Sequence, residues 1–398
     1  MIKIVTGVRR CGKSYLLFNL FGDWLKNQGI DENHIVMVDL EDRRNKELRD
    51  PDILLAYIDS RMTDNGQYYI LIDEVQLVDE FEDVLNSYLK VRNADVYVTG
   101  SNAKFLSKDI ETRFRGRGDE IKVYPLTFKE FMSVKQQGIE ISFEEYMTFG
   151  GLPQVLEYST PERKAAYLKA LFSKTYITDI LERYNIKNDE ELEMLLNFLS
   201  SSIGSLTNPT KLAKTFVSAN KKGVTDKTIK LYLEYLCDSF LIEKAQRYDV
   251  KGKDYIGTPY KFYFTDLGLR NARLNFRQLE KSHMMENVIY NELLVRGFNV
   301  DVGVVPATIL DADGKRKKVT YEIDFVCNKG NQRYYIQSAY RMETEEKTKQ
   351  EHNSFRNVDD SFKKIIIVGN PILVERDNQG ITTMSIYDFL LKDNSLEL

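Results

Sequence analysis

A chain of 398 residues, 42% hydrophobic and 29% charged, is long enough for two or three domains with sizeable cores, and its net charge of −4 gives no global polyanion-binding signature. Cys11, Cys237 and Cys327 lie far apart, as do His34, His283 and His352, which excludes a disulfide framework and a zinc-type cluster and makes a reducing compartment the default. No apolar run approaches membrane-spanning length and no signal peptide is visible, so the expectation is a cytoplasmic globular protein without membrane contact.

The first predicted element is a strand, the β-branched run Ile2 to Thr6, and a helical pattern follows from Tyr15 to Leu20. Between them Gly7-Val8-Arg9-Arg10-Cys11-Gly12-Lys13-Ser14 has the spacing G-x-x-x-x-G-K-[ST]. Glycines at those places let the backbone wrap a polyphosphate with its N–H groups inward, at the positive end of the next helix. The segment Gly7 to Tyr15 is therefore the expected ATP site. Lys13 is expected at the β- and γ-phosphates and Ser14 on Mg²⁺. Arg9 and Arg10 either contact phosphate or ribose or face solvent, and Cys11 fills a tolerant position.

Further strands are predicted at Ile35 to Leu40, Tyr68 to Glu74 and Asp95 to Asn102, separated by helical stretches. Continuous apolar strands of this kind imply a parallel sheet covered on both faces, with ligands beyond the carboxyl ends of its strands. Asp73 then suits the Mg²⁺ shell, and Glu74 is placed to orient or deprotonate an attacking water. The turn Thr99-Gly100-Ser101-Asn102 resembles a sensor segment, with Asn102 and Ser101 as γ-phosphate contacts; helix capping is its bland alternative. Arg113, Arg115 and Arg117 alternate in an expected loop, and Arg115 and Arg117 are the candidates for an arginine finger, within the chain or across a subunit boundary of a homo-oligomer. No Asn-Lys-x-Asp segment follows the fourth strand, which favours ATP over GTP.

The segments GVRRCGKS, ILIDEVQ, VTGSN, GRG and PLTFKEF, with FGGLPQVLE (Phe149 to Glu157), YFTDLGLRNA (Tyr263 to Ala272) and ENVIYNEL (Glu286 to Leu293), resemble AAA+-type ATPases of bacteria and archaea. In that family a P-loop domain is fused to a C-terminal region of unknown function. The resemblance implies ATP binding, an AAA+-like core, and coupling to nucleic acid or a partner protein.

Residues 150–190 read as helical, and Leu195 to Ile203 as a further amphipathic stretch. A helix starts after Asn208-Pro209 and another at Thr225 or Asp226; Phe240 to Ala245 and Tyr260 to Phe264 then read as a hairpin. Helix, turn, helix, hairpin resembles a winged helix, with Lys227, Thr228 and Lys230 as candidates for DNA phosphates and protein contact as the rival use. Farther on, Glu286 on a helix and Asp324 in the strand Thr320 to Cys327, followed by the strand Arg333 to Ala339, resemble a restriction-endonuclease-like fold. The resemblance implies a carboxylate and a lysine on the second strand, where this chain has Gln337-Ser338-Ala339. Cleavage is therefore not expected, although Glu286, Glu322 and Asp324 remain together as a weak metal-binding set. Lys364 to Val368 continues the sheet, and Met384 to Phe389 is expected to close it.

The predicted fold is α/β: an AAA+-like P-loop NTPase parallel sheet in residues 1–135, a helical linker and winged helix in 136–270, and an inactive restriction-endonuclease-like domain in 271–398. The expected function is Mg²⁺-dependent ATP hydrolysis coupled to movement of C-terminal DNA- or protein-binding domains. The alternatives are a nucleotide-operated switch with little turnover and an ATP-dependent nuclease.

Overall fold

A computed structural model describes residues 1–100, 118–187, 189–218, 224–310, 315–342, 345–358 and 360–398. The chain forms two compact units. One comprises Met1–Pro125, Leu152–Gln154 and Asp238–Leu241, the other Leu126–Gly151, Val155–Cys237 and Ile242–Leu398.

The first unit is built on five strands, β1 (Ile2–Thr6), β2 (Ile35–Asp39), β3 (Tyr68–Asp73), β4 (Ala94–Thr99) and β5 (Gly118–Lys122). They stand in the order β2-β3-β4-β1-β5, and every neighbouring pair is parallel. Ile70, Leu71 and Ile72 of β3 are all buried, as an apolar run covered on both faces requires. Leu54 and Ile58 from the helix Pro51–Arg61, and Val84 and Leu85 from the helix Phe81–Tyr88, pack with Val38, Ile70, Ile72 and Val98 in one core. Full burial of each such side chain is worth about 1.5–3 kcal/mol. Asp50 caps the first of these helices by accepting the N–H groups of Asp52 and Ile53, with Pro51 at its first turn. The strand order sets the geometry of the site: β4 stands between β1, which leads into the glycine-rich loop, and β3, which ends in Asp73. All carboxyl ends lie on one side.

The second unit contains β6 (Ile242–Asp249), β7 (Asp254–Phe264), β8 (Asn299–Leu310), β9 (Arg316–Lys329), β10 (Gln332–Ala339), β11 (Lys363–Val368), β12 (Glu375–Arg376) and β13 (Ile381–Ser385). They form a mixed sheet ordered β12-β13-β11-β10-β9-β8-β6-β7. The hairpin expected as a wing is its edge: β6 and β7 pair antiparallel, and β6 continues in parallel register onto β8, Arg247 opposite Val302. The two helices before the hairpin are Pro209–Ser218 and Asp226–Asp238. Asn208 accepts the N–H groups of Thr210 and Lys211, and Thr225, not Asp226, caps the second helix through the N–H of Thr228. At the C-terminal end the last strand stops at Ser385, whose hydroxyl accepts the Asp388 N–H and starts the helix Ile386–Leu391 in place of the expected continuation to Phe389.

Two distant family-like segments lock together in this unit. Asp266 caps the helix Leu267–Arg273 through Oδ1, 3.0 Å from the Leu269 N–H, while its Oδ2 accepts the Gly151 N–H at 2.7 Å. A Cβ on Gly150, whose φ is +75°, would lie 2.3 Å from both Asp266 oxygens. Asn271 donates to the carbonyls of Met147 and Thr148, each at 2.9 Å, and the fully buried Arg270 donates to the Ser200 carbonyl at 2.7 Å. Met147 to Gly151 and Asp266 to Asn271 are thus packing partners, and the glycine at 150 follows from that contact.

Candidate functional site

The glycine-rich loop leaves β1 at Gly7 and enters a helix at Lys13 that runs through a π-type stretch Leu16–Phe21 to Asn27. Positive φ at Gly7, Arg10 and Gly12 (142°, 67° and 103°) folds the loop back on itself. Gly7 is required by close approach: a Cβ there would meet the Val123 carbonyl oxygen at 2.0 Å. Cys11 is buried with its Sγ 3.5 Å from the same carbonyl, and burial pushes its thiol pKa up. Lys13 is only 5% exposed, and its ammonium donates to the carbonyls of Gly7 (3.0 Å) and Val8 (3.2 Å). Ser14, Tyr15 and Arg10 are exposed, and Arg9 lies 3.6 Å from Glu41.

Asp73 is 3% exposed at the end of β3. Burial raises its carboxyl pKa, against hydrogen bonds from Thr99 and Ser14. The Thr99 hydroxyl donates to Asp73 Oδ1 and accepts the Glu74 N–H at 3.0 Å. One side chain from β4 therefore ties the last strand residue of β3 to the first residue beyond it. Glu74 takes a left-handed conformation (φ 52°) and turns the chain into a single 3₁₀ turn, Val75–Leu77. That turn brings the Gln76 amide onto the Glu74 carboxylate, Nε2 to Oε2.

The loop lysine, Ser14, Asp73, Glu74 and Thr99 all belong to the carboxyl edge of one parallel sheet. Asn102, Arg115 and Arg117, together with Ser101 and Arg113, lie outside the described residues. A buried carboxylate joined to a hydroxyl suits a hard divalent cation that keeps several waters, as Mg²⁺ does, so Ser14 and Asp73 fit the implied metal chemically. In the sequence Thr99 stands only as the start of an expected sensor turn. Its bridging role follows from strand order, which a single sequence does not display.

The carboxylates of the second unit meet differently from expectation. Glu286, on the helix Lys281–Val295, converges with Glu322 and Asp324 of β9. Lys261 of β7 stands among them: its Nζ is 2.9 Å from Glu286 Oε1, 2.8 Å from Glu322 Oε1 and 3.7 Å from Asp324 Oδ1. Burial penalises the Lys261 charge, but the three carboxylates outweigh it and hold its pKa above the ordinary lysine range. Burial, with the Glu286 charge, pushes Asp324 up to about 8. The Tyr263 hydroxyl also donates to Glu286 Oε1, at 2.7 Å. An ammonium from the strand expected as part of a wing thus offsets one of the cluster's carboxylate charges. Among the described residues no group of three or more His, Cys, Asp or Glu side chains is arranged to hold a metal ion.

On the helix pair, Lys227 and Lys230 are exposed, Lys230 lies 3.5 Å from Asp226, and the Thr228 hydroxyl is 3.0 Å from that of Thr225. Among the described residues no helix is long and apolar enough to cross a membrane.

Comparison with known proteins places these observations in a family. An AAA domain model matches residues 1–132, and a model described as a domain of unknown function (DUF8612) matches residues 140–280. An uncharacterized protein of Haemophilus influenzae is 33% identical over 397 residues, 98% of this chain and 94% of its own length. An uncharacterized protein of Methanocaldococcus jannaschii is 28% identical over 86% of this chain and 75% of its own length. Among solved structures, the Aeropyrum pernix ORC1 protein in complex with DNA aligns over 68% of this chain and 86% of its own, at 13% identity and a TM-score of 0.25. Parallel sheet, glycine-rich loop and matched domain define an AAA+-type P-loop protein, a nucleotide-binding, ATPase-like class. The chain belongs to the family of AAA+ P-loop ATPases that carry a C-terminal domain of unknown function.

Proposed function

We propose that this protein is a Mg²⁺-dependent ATPase whose nucleotide state governs a C-terminal region that binds DNA or a partner protein. The observation that carries the reading is Thr99: its hydroxyl joins the Asp73 carboxylate to the Glu74 backbone, fixing two adjacent carboxylates at the same carboxyl edge of the sheet as the glycine-rich loop.

In this reading the loop from Gly7 to Tyr15 holds ATP. Lys13 exchanges the carbonyls of Gly7 and Val8 for β- and γ-phosphate oxygens. Ser14 and Asp73 would hold Mg²⁺, which when bound neutralises phosphate charge. Glu74 accepts a proton from the water that attacks the γ-phosphorus, while the bond from that phosphorus to the bridging oxygen breaks and ADP leaves. Asn102 takes the role of γ-phosphate sensor, and Arg115 or Arg117 that of the finger, supplied across a boundary between subunits of a homo-oligomer. In the C-terminal region, Lys227, Thr228 and Lys230 are the proposed phosphate contacts if the partner is DNA.

The test is steady ATP turnover with Mg²⁺, with and without single- and double-stranded DNA, while solution mass is recorded. Turnover lost in both Lys13→Ala and Glu74→Gln supports the ATPase; turnover that survives both overturns it. Tight nucleotide retention with negligible turnover replaces it with a binding switch. Stimulation by DNA favours nucleic acid as the partner, and no response shifts the reading to a protein partner.

A further inference from the structure

The residue beside the proposed water-activating carboxylate has no assigned task. Gln76 lies two positions after Glu74. Residues so spaced do not face one another on a helix. Here the left-handed Glu74 and the single 3₁₀ turn behind it bring the two side chains together. The Gln76 amide nitrogen donates to Glu74 Oε2. A carboxylate only accepts, so the amide orientation is fixed by its partner. The other end of the amide, Oε1, is buried and has no hydrogen-bond partner among the described residues. A glutamine whose buried carbonyl has no partner among the described residues is not explained by packing alone, since an apolar side chain of the same length would avoid that cost. The backbone of Glu74 is anchored separately, through its N–H to Thr99. Backbone and side chain of this one residue are thus each held by a different neighbour.

We propose that Gln76 is the positioning residue for Glu74, holding its carboxylate in the orientation in which it accepts the proton of the attacking water. The proposal rests on the ATPase reading. Gln76 touches no reacting atom; it acts through Glu74.

The experiment measures kcat and ATP affinity for the full chain carrying Gln76→Leu, Gln76→Glu, Glu74→Gln and the Glu74→Gln/Gln76→Leu pair, with melting temperatures to verify folding. Leucine keeps the length and removes the donor. It is expected to lower kcat about tenfold, the loss of one charge-assisted hydrogen bond, and to leave ATP affinity within about twofold. Glutamate keeps shape and polarity but sets a second carboxylate against the first, and is expected to lower kcat further. In the Glu74→Gln background Gln76→Leu is expected to cost nothing more, because the carboxylate it serves is gone. An unchanged kcat in Gln76→Leu overturns the proposal. So does an equal additional loss in the Glu74→Gln background, or a loss confined to ATP affinity. If Glu74→Gln itself turns over at the wild-type rate, the ATPase reading of Glu74 fails, an outcome distinct from failure of Gln76 alone.

Discussion

Thr99 is fully buried, and its hydroxyl serves two groups at once, the Asp73 carboxylate and the Glu74 N–H. Thr99→Val keeps the shape and removes both hydrogen bonds, leaving the half-buried Glu74 N–H without this acceptor and the buried Asp73 carboxylate with the Ser14 hydrogen bond but not that of Thr99. The expected cost is about 2–3 kcal/mol of stability, read as a lower urea midpoint at unchanged slope. Lys13→Ala is expected to weaken ATP binding by about 2 kcal/mol, roughly thirtyfold, measured by titration calorimetry. The two residues differ in how far a sequence reveals them. Lys13, Asp73 and Glu74 stand in a spacing from which their proposed chemistry is read. Thr99, Gln76 and Lys261 act on groups brought close by strand order, a left-handed residue and the packing of a hairpin strand near a helix and β9, and no local spacing encodes those contacts. Lys261 is the sharpest case: its strand was legible, but its three carboxylate partners lie on other elements. Asp324 shows the consequence for pH. An unfolded aspartate titrates near 4, whereas the folded chain holds this proton up to about 8. Between those values the folded state binds more protons. Stability should therefore fall as pH rises through that window and level off above it. The slope should flatten in Asp324→Asn, which cannot ionise; denaturant melts across the window measure it, and an unchanged slope in the variant would refute the assignment.

At the scale of elements, the contact between Met147 to Gly151 and the helix that Asp266 caps is a joint without slack. Gly150→Ala places a methyl 2.3 Å from the Asp266 oxygens and puts an L side chain at a positive φ. Either Asp266 gives up its hydrogen bonds to Gly151 and Leu269, or the turn opens. The expected loss is about 3 kcal/mol, seen as a drop in melting temperature with nucleotide-site residues untouched. These segments were legible as family-like, and their strands and helices were legible from apolar runs, Asn208-Pro209 and the cap at Thr225. Their meaning was not legible, because it lies in a contact between positions more than a hundred residues apart. The hairpin β6–β7 makes the same point. Its strands could be read, but its edge pairing onto β8 depends on a partner far along the chain.

At the scale of the whole molecule, the fold places each sheet in its own compact unit, and the first unit takes in two short stretches from later in the chain, Leu152–Gln154 and Asp238–Leu241. Nucleotide that binds the folded first unit stabilises it by mass action, about 2.7 kcal/mol at a hundred times the dissociation constant. If that were all, amide exchange would slow only in β1 to β5 and their helices. The proposed coupling demands more. A ligand moves a second region only when that region has two states with different affinities for it. Residues 152–154 and 238–241 are covalently continuous with the helices and strands on either side, so ordering them constrains both flanks. Exchange is therefore expected to slow on ATP binding not only in residues 1–100 but also in 155–171 and 242–249, and to revert in Lys13→Ala. Protection confined to residues 1–100 would mean that nucleotide binding stays local, and the proposed link between nucleotide state and the C-terminal region would fall while ATP binding stood.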